Sequence, residues 1–337
     1  YCTRDGTWSR PANQMKKEEL RLIFMGTADF AVPALRALVE NGYQVKAVVT
    51  MPDKPMGRGH KVSPSMVKLY AQELGLPILQ PDNLNEESFL DELRTYQPHL
   101  QIVVAFRMLP RSVWQMPPMG TINLHGSLLP MYRGAAPINH AIRHGDTETG
   151  VTTFRLRHEI DTGEVLLQEK LPIGHEETFG ELYERMATLG ASVLVHTVDL
   201  FLEGEPVSIP QEQLPGYVDA RPAPKIFKDD CRIDWDKPAE EVHNFIRSIS
   251  PAPTAWTKLH RPRMESIVLK IYRTQVIERE PRHRGRFGSI IWDKKNLDVM
   301  TRKGVIRILS LQMPGKKQMD AASFLNGFAL SSDMYIE

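Results

Sequence analysis

The 337-residue chain has two cysteines, Cys2 and Cys231, and neither sits in a Cys-x-x-Cys pair or in Cys/His spacing of metal-ligand type. A disulfide framework is excluded, a structural zinc site loses its support, and a reducing compartment is the natural setting. No stretch approaches the roughly 18 uninterrupted apolar residues of a spanning helix, and the N-terminus lacks the basic-then-apolar order of a signal peptide. A cytoplasmic protein with no membrane partner is therefore expected. Gly-Lys-Ser/Thr phosphate loops are absent, Gly57-x-Gly59 lacks the third glycine of a dinucleotide fingerprint, and no Gly-x-Ser-x-Gly elbow occurs. Charge of one sign is also lacking, with 42 Lys+Arg against 41 Asp+Glu. That balance hides an asymmetry: residues 15–207 carry 18 basic and 24 acidic residues, whereas residues 208–337 carry 22 and 16. A basic C-terminal half suits a polyanionic partner, although a solvated basic face fits the same numbers.

Hydrophobic residues at 42% and charged residues at 25% are ordinary for a globular protein, and the length suggests two domains. Residues 1–14 are polar and aperiodic ahead of Met15, so they are expected to be a leader or added segment. Leu22 to Met25 predict a strand ending at Gly26, with Asp29 as the N-cap of a helix over Ala31 to Leu38. Strands at Val45 to Val49, Leu100 to Ala105, Thr121 to His125 and Gly150 to Leu156 alternate with helical patterns at Pro64 to Leu74, Glu86 to Tyr96 and Thr178 to Leu202. That order predicts an α/β fold: a Rossmann-like, doubly wound, mostly parallel sheet over residues 15–203. Residues 204–224, rich in Pro and Gly, are expected to be a surface linker. Residues 225–330 hold a helical pattern from Asp234 to Ser248. Short strands follow at Ile267 to Tyr272, Gly288 to Trp292, Asp298 to Thr301 and Val305 to Leu311, as in a small OB-like β-barrel.

Chemistry concentrates in Asn123-Leu124-His125-Gly126-Ser127-Leu128-Leu129-Pro130. Positions i and i+2 of a strand share a face, so Asn123 and His125 project together while Ile122 and Leu124 pack behind. An amide beside an imidazole can aim N–H groups at an oxygen that gains charge in a tetrahedral transition state. A strand with one polar face fits the pattern as well. The end of a parallel strand followed by glycine is, however, where open α/β sheets hold ligands. Asp161, in the turn Asp161-Thr162-Gly163, is a carboxylate able to orient the imidazole. A Ser127/His125/Asp161 hydrolase is disfavoured, because Ser127 continues the His125 strand rather than facing it. His140 and His144 stand at i and i+4 without the Glu of a zincin helix and are expected on a helix surface, and no metal is expected.

Five segments together resemble the methionyl-tRNA formyltransferase family, within the formyltransferases that use 10-formyltetrahydrofolate. They are Met25-Gly26-Thr27-Ala28-Asp29-Phe30-Ala31, Asp53-Lys54-Pro55-Met56-Gly57-Arg58-Gly59, Asn123 to Pro130, Tyr132-Arg133-Gly134-Ala135-Ala136-Pro137-Ile138 and Asp161-Thr162-Gly163. The resemblance implies Asn123, His125 and Asp161 as catalytic residues. It implies Ser127, Leu128, Leu129 and Pro130 along a folate site, with Arg107, Met108 and Leu109 against the pterin. It also implies methionyl initiator tRNA as acceptor, gripped by Lys54, Arg58 and Lys61, and a C-terminal domain that binds tRNA; a monomer is expected. The chain departs from the family at Gly126, where Ala is common, and at Phe106-Arg107-Met108, where Tyr-Gly-Leu is usual. Formylation of a nucleotide-linked amino sugar, hydrolysis of the folate donor and noncatalytic RNA binding are the competing readings. The cationic loop from Asp53 to Lys61 favours tRNA over the first two, and the intact Asn123, His125 and Asp161 disfavour the last.

Overall fold

The computed structural model describes residues 14–56, 61–280 and 285–337. Arg58, Arg282 and Arg284 lie outside the described residues. The chain forms two compact units: the first takes its residues from Tyr1–Arg133, Gly150–Leu171 and Glu184–Pro222, the second from Gly134–Thr149, Pro172–Tyr183 and Ala223–Glu337.

The first unit is built on a seven-stranded sheet. Its strands are β1 (Arg21–Gly26), β2 (Gln44–Val49), β3 (Ile78–Leu79), β4 (Leu100–Val104), β5 (Thr121–His125), β6 (Glu148–Arg155) and β7 (Val165–Pro172), in the order β7-β6-β5-β4-β1-β2-β3. The pairs β1–β2, β1–β4, β2–β3 and β4–β5 are parallel, and β6 runs antiparallel to β5. All five residues of β4 are buried, as a continuous apolar run in an interior parallel strand requires. In sequence, helices α1 (Ala31–Glu40), α2 (Met66–Glu73), α3 (Glu87–Thr95), α4 (Pro137–Arg143) and α5 (Phe179–Glu203) alternate with these strands, α4 and the first turn of α5 belonging to the second unit. Phe89, Leu90 and Leu93 of α3 pack against Ile23, Met25, Ala47, Val49 and Val103 of the sheet. Ser65 caps α2 by accepting from the Lys68 amide at 3.1 Å. Asp29 does not cap α1: Phe30 holds the cap position with helical dihedrals, and Asp29 contributes its backbone carbonyl to Val32 instead.

By length and composition α5 is apolar enough to cross a membrane, and 56% of its most apolar window is buried inside the protein. Thr197 on this helix meets Thr153 of β6 at 2.7 Å between hydroxyls and also bonds the Val193 carbonyl. Residues 204–224, expected as a surface linker, are mostly exposed, and those up to Pro222 belong to the first unit. Ile209 and Val165 exchange two backbone hydrogen bonds of 2.9 Å, and the Gln211 side chain is fully buried.

The second unit is an antiparallel barrel. Strands β8 (Ala255–Arg261), β9 (Met264–Glu278), β10 (Ile290–Trp292), β11 (Leu297–Met300), β12 (Val305–Gln312), β13 (Met319–Asp320) and β14 (Tyr335–Ile336) follow the order β10-β11-β12-β9-β8-β14, with β13 on β12. An isolated bridge from Ser289 to Tyr335 joins the two ends of this path. Barrel closure thus depends on β14, which lies beyond the expected domain limit at residue 330. Helix α6 (Ala239–Arg247) places Val242 and Ile246 in a core with Trp235, Ile271, Leu311 and Phe324. The buried Trp235 indole donates to Thr257 at 2.9 Å.

Gly288 sits at the closure with φ +84°, and a Cβ there would lie 2.0 Å from the Ile336 carbonyl oxygen. Gly288→Ala is expected to destabilise the barrel by roughly 1–2 kcal/mol through backbone conformation alone, with more from displacing β14. Urea unfolding followed by tryptophan fluorescence checks this, and an unchanged midpoint would contradict it.

Candidate active site

Strand β5 is hydrogen-bonded on both edges. Val103 pairs with Asn123 on the β4 side, while Phe154 and Thr152 pair with Asn123 and His125 on the β6 side. This double ladder fixes the pleat, so Asn123 and His125 emerge on one face. His125 is 7% exposed and Asn123 half-buried. Among the described residues the Asn123 amide has no hydrogen-bond partner.

His125 Nε2 lies 2.8 Å from the Tyr132 carbonyl oxygen. A carbonyl only accepts, so Nε2 carries the hydrogen and donates. Nδ1 is then the nitrogen left for chemistry, and the Asp161 Oδ2 atom faces it at 3.7 Å. That separation is too long for a direct hydrogen bond and within ion-pair distance.

Asp161 comes from the turn that joins β6 to β7. It is left-handed at φ +55°, as are Ala105 at +49° and Tyr132 at +59°. These non-glycine residues stand after β4, after β5 and after β6. Ala105 and Tyr132 follow the carboxyl ends of β4 and β5, and the turn after β6, which leaves the sheet at the opposite edge, carries Asp161 back to His125. In the turn, a Cβ on Gly163 would lie 1.6 Å from the Arg155 carbonyl oxygen, so only glycine fits. The sheet order reverses between β1 and β4, and Thr27 after β1 donates to the Ala105 carbonyl at 3.2 Å. Open α/β sheets form their ligand crevice at such a reversal.

The remaining expected residues fall in distinct surroundings. Ser127 lies beyond the end of β5, its side chain wholly buried and its hydroxyl donating to the Met131 carbonyl at 2.6 Å. Leu129 and Pro130 are buried and Leu128 half-buried. The Leu129 carbonyl is taken by Gln168 at 2.8 Å. After β4, Met108 is 72% exposed, Leu109 belongs to the core, and the Arg107 guanidinium clasps the carbonyls of Pro81 and Asp82. Lys54 is exposed in a short hairpin of Lys54–Met56 with Lys61–Ser63. At its base Asp53 receives Lys68 at 2.7 Å and Gln80 at 2.8 Å, contacts that hold its carboxyl below the usual range.

Gln211 and Arg133, to which the sequence pattern assigns no role, also hold the turn. Gln211 donates both amide hydrogens to the turn, to the Asp161 carbonyl at 2.7 Å and the Gly163 carbonyl at 2.8 Å. Its own oxygen accepts from Arg133 at 3.0 and 2.6 Å.

His140 is buried rather than on a helix surface: it is 8% exposed, with Nε2 3.0 Å from the Pro224 carbonyl. Helix α4 is too short and too enclosed to have a wet face, with Ile138 to Ile142 all buried. In the second unit, His175, Glu176 and His243 bring metal-capable atoms within 4.8 Å of one another. These atoms already pair among themselves and with neighbours. His175 lies between Glu176 at 2.8 Å and Glu240 at 2.6 Å, which raise its pKa, and buried His243, pushed down by desolvation, meets Thr274 at 2.9 Å.

A doubly wound sheet with an amide, an imidazole and a carboxylate at its strand ends, joined to an antiparallel barrel, defines a class of group-transfer enzyme. Residues 20–198 match the formyl transferase family model, and residues 225–329 match the formyl transferase C-terminal domain. A methionyl-tRNA formyltransferase of Porphyromonas gingivalis is 99% identical over 323 residues, covering 96% of this chain and 100% of that protein. One from Bacteroides fragilis is 52% identical over 318 residues, 94% of this chain and 98% of that protein. Among solved structures, the sugar 3N-formyl transferase WlaRD superposes with a TM-score of 0.61 at 19% identity, covering 88% of this chain and 99% of that one. HypX from Aquifex aeolicus gives 0.59 at 18%, covering 91% of this chain and 47% of that one. The chain belongs to the formyl transferase family and, within it, to the methionyl-tRNA formyltransferases.

Gly163→Ala should displace the Asp161 turn without unfolding the sheet. Formyl transfer is expected to fall by about 10²-fold, as sub-ångström misplacement of reacting groups commonly costs, with the circular dichroism spectrum unchanged. Wild-type turnover would contradict the tight turn.

Proposed function

We propose that the chain transfers the formyl group of 10-formyltetrahydrofolate to the α-amino group of methionyl initiator tRNA, with Asn123, His125 and Asp161 as the catalytic residues. The observation that carries this reading is the placement of His125 Nδ1 opposite Asp161 at 3.7 Å, with Nε2 held on the Tyr132 carbonyl. The imidazole is thereby oriented for one task.

In this reading the neutral amine attacks the formyl carbon, forming the new C–N bond and a tetrahedral centre with a negative oxygen. The Asn123 amide and the protonated Nδ1 of His125 donate to that oxygen, an interaction whose loss typically costs about 10² to 10³ in rate. Asp161 sustains the imidazolium and, through water, takes the proton that the attacking nitrogen releases. As the tetrahedral centre collapses, the bond from carbon to the folate nitrogen breaks and that nitrogen gains a proton.

The folate is assigned to the strand ends, along Arg107, Met108 and Leu109, with Ser127, Leu128, Leu129 and Pro130 as the wall. Exposed Met108 and half-buried Arg107 and Leu128 are the side chains of this group that a ligand reaches. Structures of WlaRD with 5-N-formyl-THF and of HypX with tetrahydrofolic acid support a folate-type donor for this fold. Lys54, Arg58 and Lys61 are assigned to tRNA phosphates, and the second unit, with exposed Lys294, Lys295, Lys316 and Lys317, to the tRNA body. The 99% identical relative named for methionyl-tRNA supports that acceptor.

The test is transfer of radiolabelled formyl from 10-formyltetrahydrofolate to charged methionyl initiator tRNA, with uncharged tRNA and an amino-sugar nucleotide as parallel acceptors. Label on the charged tRNA alone is expected; label on the sugar, or release of formate without transfer, would overturn the reading. His125→Ala and Asp161→Ala should each lower turnover by about 10² to 10⁴ while tRNA binding persists. Arg58→Ala should weaken tRNA use and flatten its salt dependence. Equal loss on a minimal amine acceptor would contradict a phosphate role for Arg58.

A further inference from the structure

We infer that Gln211 is a positioning residue for formyl transfer, holding Asp161 at its working distance from His125, with Arg133 holding Gln211. The inference rests on the catalytic reading above and extends it to a residue outside the recognised motifs.

Gln211 is wholly buried, and every polar atom of its side chain is used. The two amide hydrogens go to the Asp161 and Gly163 carbonyls, which flank Thr162 at the tip of the turn. The oxygen takes Nε–H and Nη2–H of Arg133. A guanidinium offers only donors and the two carbonyls only accept, so the amide has one orientation that satisfies all four contacts. Only a neutral side chain of this length, with two donors at one corner and an acceptor at the other, bridges the turn to Arg133.

The clamp is itself anchored. The backbone bridge between Ile209 and Val165 fixes the segment two residues before Gln211. Leu214 packs on Leu129, Phe154 and Val165 three residues after it. Arg133 stacks over the Tyr217 ring with 5.5 Å to the centroid, so the same segment grips both ends of the contact. Arg133 also directly follows Tyr132, whose carbonyl holds His125 Nε2. One chain of contacts therefore sets both partners of the catalytic pair: Tyr132 fixes the imidazole, and Arg133 through Gln211 fixes the carboxylate. The left-handed backbone of Asp161, costlier for most L residues than the right-handed one, is held by this tie.

The test compares Gln211→Glu, Gln211→Ala and Asp161→Asn, each alone, and Gln211→Glu combined with Asp161→Asn, in full-length enzyme with 10-formyltetrahydrofolate and methionyl-tRNA. Gln211→Glu keeps size and the Arg133 contact while setting a carboxylate against two carbonyls, so the fold is retained and the turn is released. Expected is a loss in kcat of about 10- to 100-fold, typical of groups that orient a catalytic residue, with KM for both substrates within about twofold. In the Asp161→Asn background the Gln211→Glu change should cost nothing more, because its effect runs through that carboxylate. Wild-type kcat in Gln211→Glu, beside an inactive Asp161→Asn, would overturn this inference and leave the catalytic reading standing. An active Asp161→Asn would overturn both. A Gln211→Glu loss that multiplies with the Asp161→Asn loss would show that Gln211 acts independently of Asp161 and overturn the inference.

Discussion

The ladders on both edges of β5 are the constraint from which the site follows. A strand zipped to a parallel neighbour on one side and an antiparallel one on the other cannot rotate about its axis. Its alternation then becomes functional geometry: Ile122 and Leu124 are spent on the core, and Asn123 and His125 are left for chemistry. The antiparallel partner has a second consequence. β6 runs back along β5 and leaves the sheet beside Thr121 and Ile122, at the start of β5, and residues 156–161 of the turn then carry Asp161 back opposite His125. One strand pairing thus supplies two of the proposed catalytic side chains directly and the third through its connection.

The energetic cost of this arrangement is local. Ala105, Tyr132 and Asp161 are held left-handed, each a conformation that an L side chain adopts only under constraint. The constraints are visible as hydrogen bonds: the Thr27 amide to Ala105, His125 to Tyr132 and Gln211 to Asp161. Each strained residue is therefore tied by its carbonyl to a different element. A site made this way needs no reorganisation when charge develops, which is the condition for strong electrostatic stabilisation of a transition state.

Much of this was legible in the sequence, for identifiable reasons. The sheet was readable because interior parallel strands are continuous apolar runs, and Leu100 to Val104 is buried throughout. Asn123 and His125 were readable because period-two alternation survives any tertiary context. Gln211 was not: it lies among prolines in an aperiodic stretch, and its role depends on contacts 48 to 78 residues away in sequence. His140 was misplaced because i, i+4 spacing says which residues share a face and nothing about which face is wet. Strand β14 escaped notice because two residues carry no period, and its place is set by Ser289 on the far edge of the barrel.

The central claim is that His125 and Asp161 act as one unit, and a kinetic cycle tests it most directly. Single-turnover formyl transfer would be measured for wild type, His125→Ala, Asp161→Asn and the double variant, under saturating donor and acceptor. The account predicts that the double variant is no slower than His125→Ala alone, because the carboxylate works through the imidazole. Losses that multiply would show two independent contributions and contradict it.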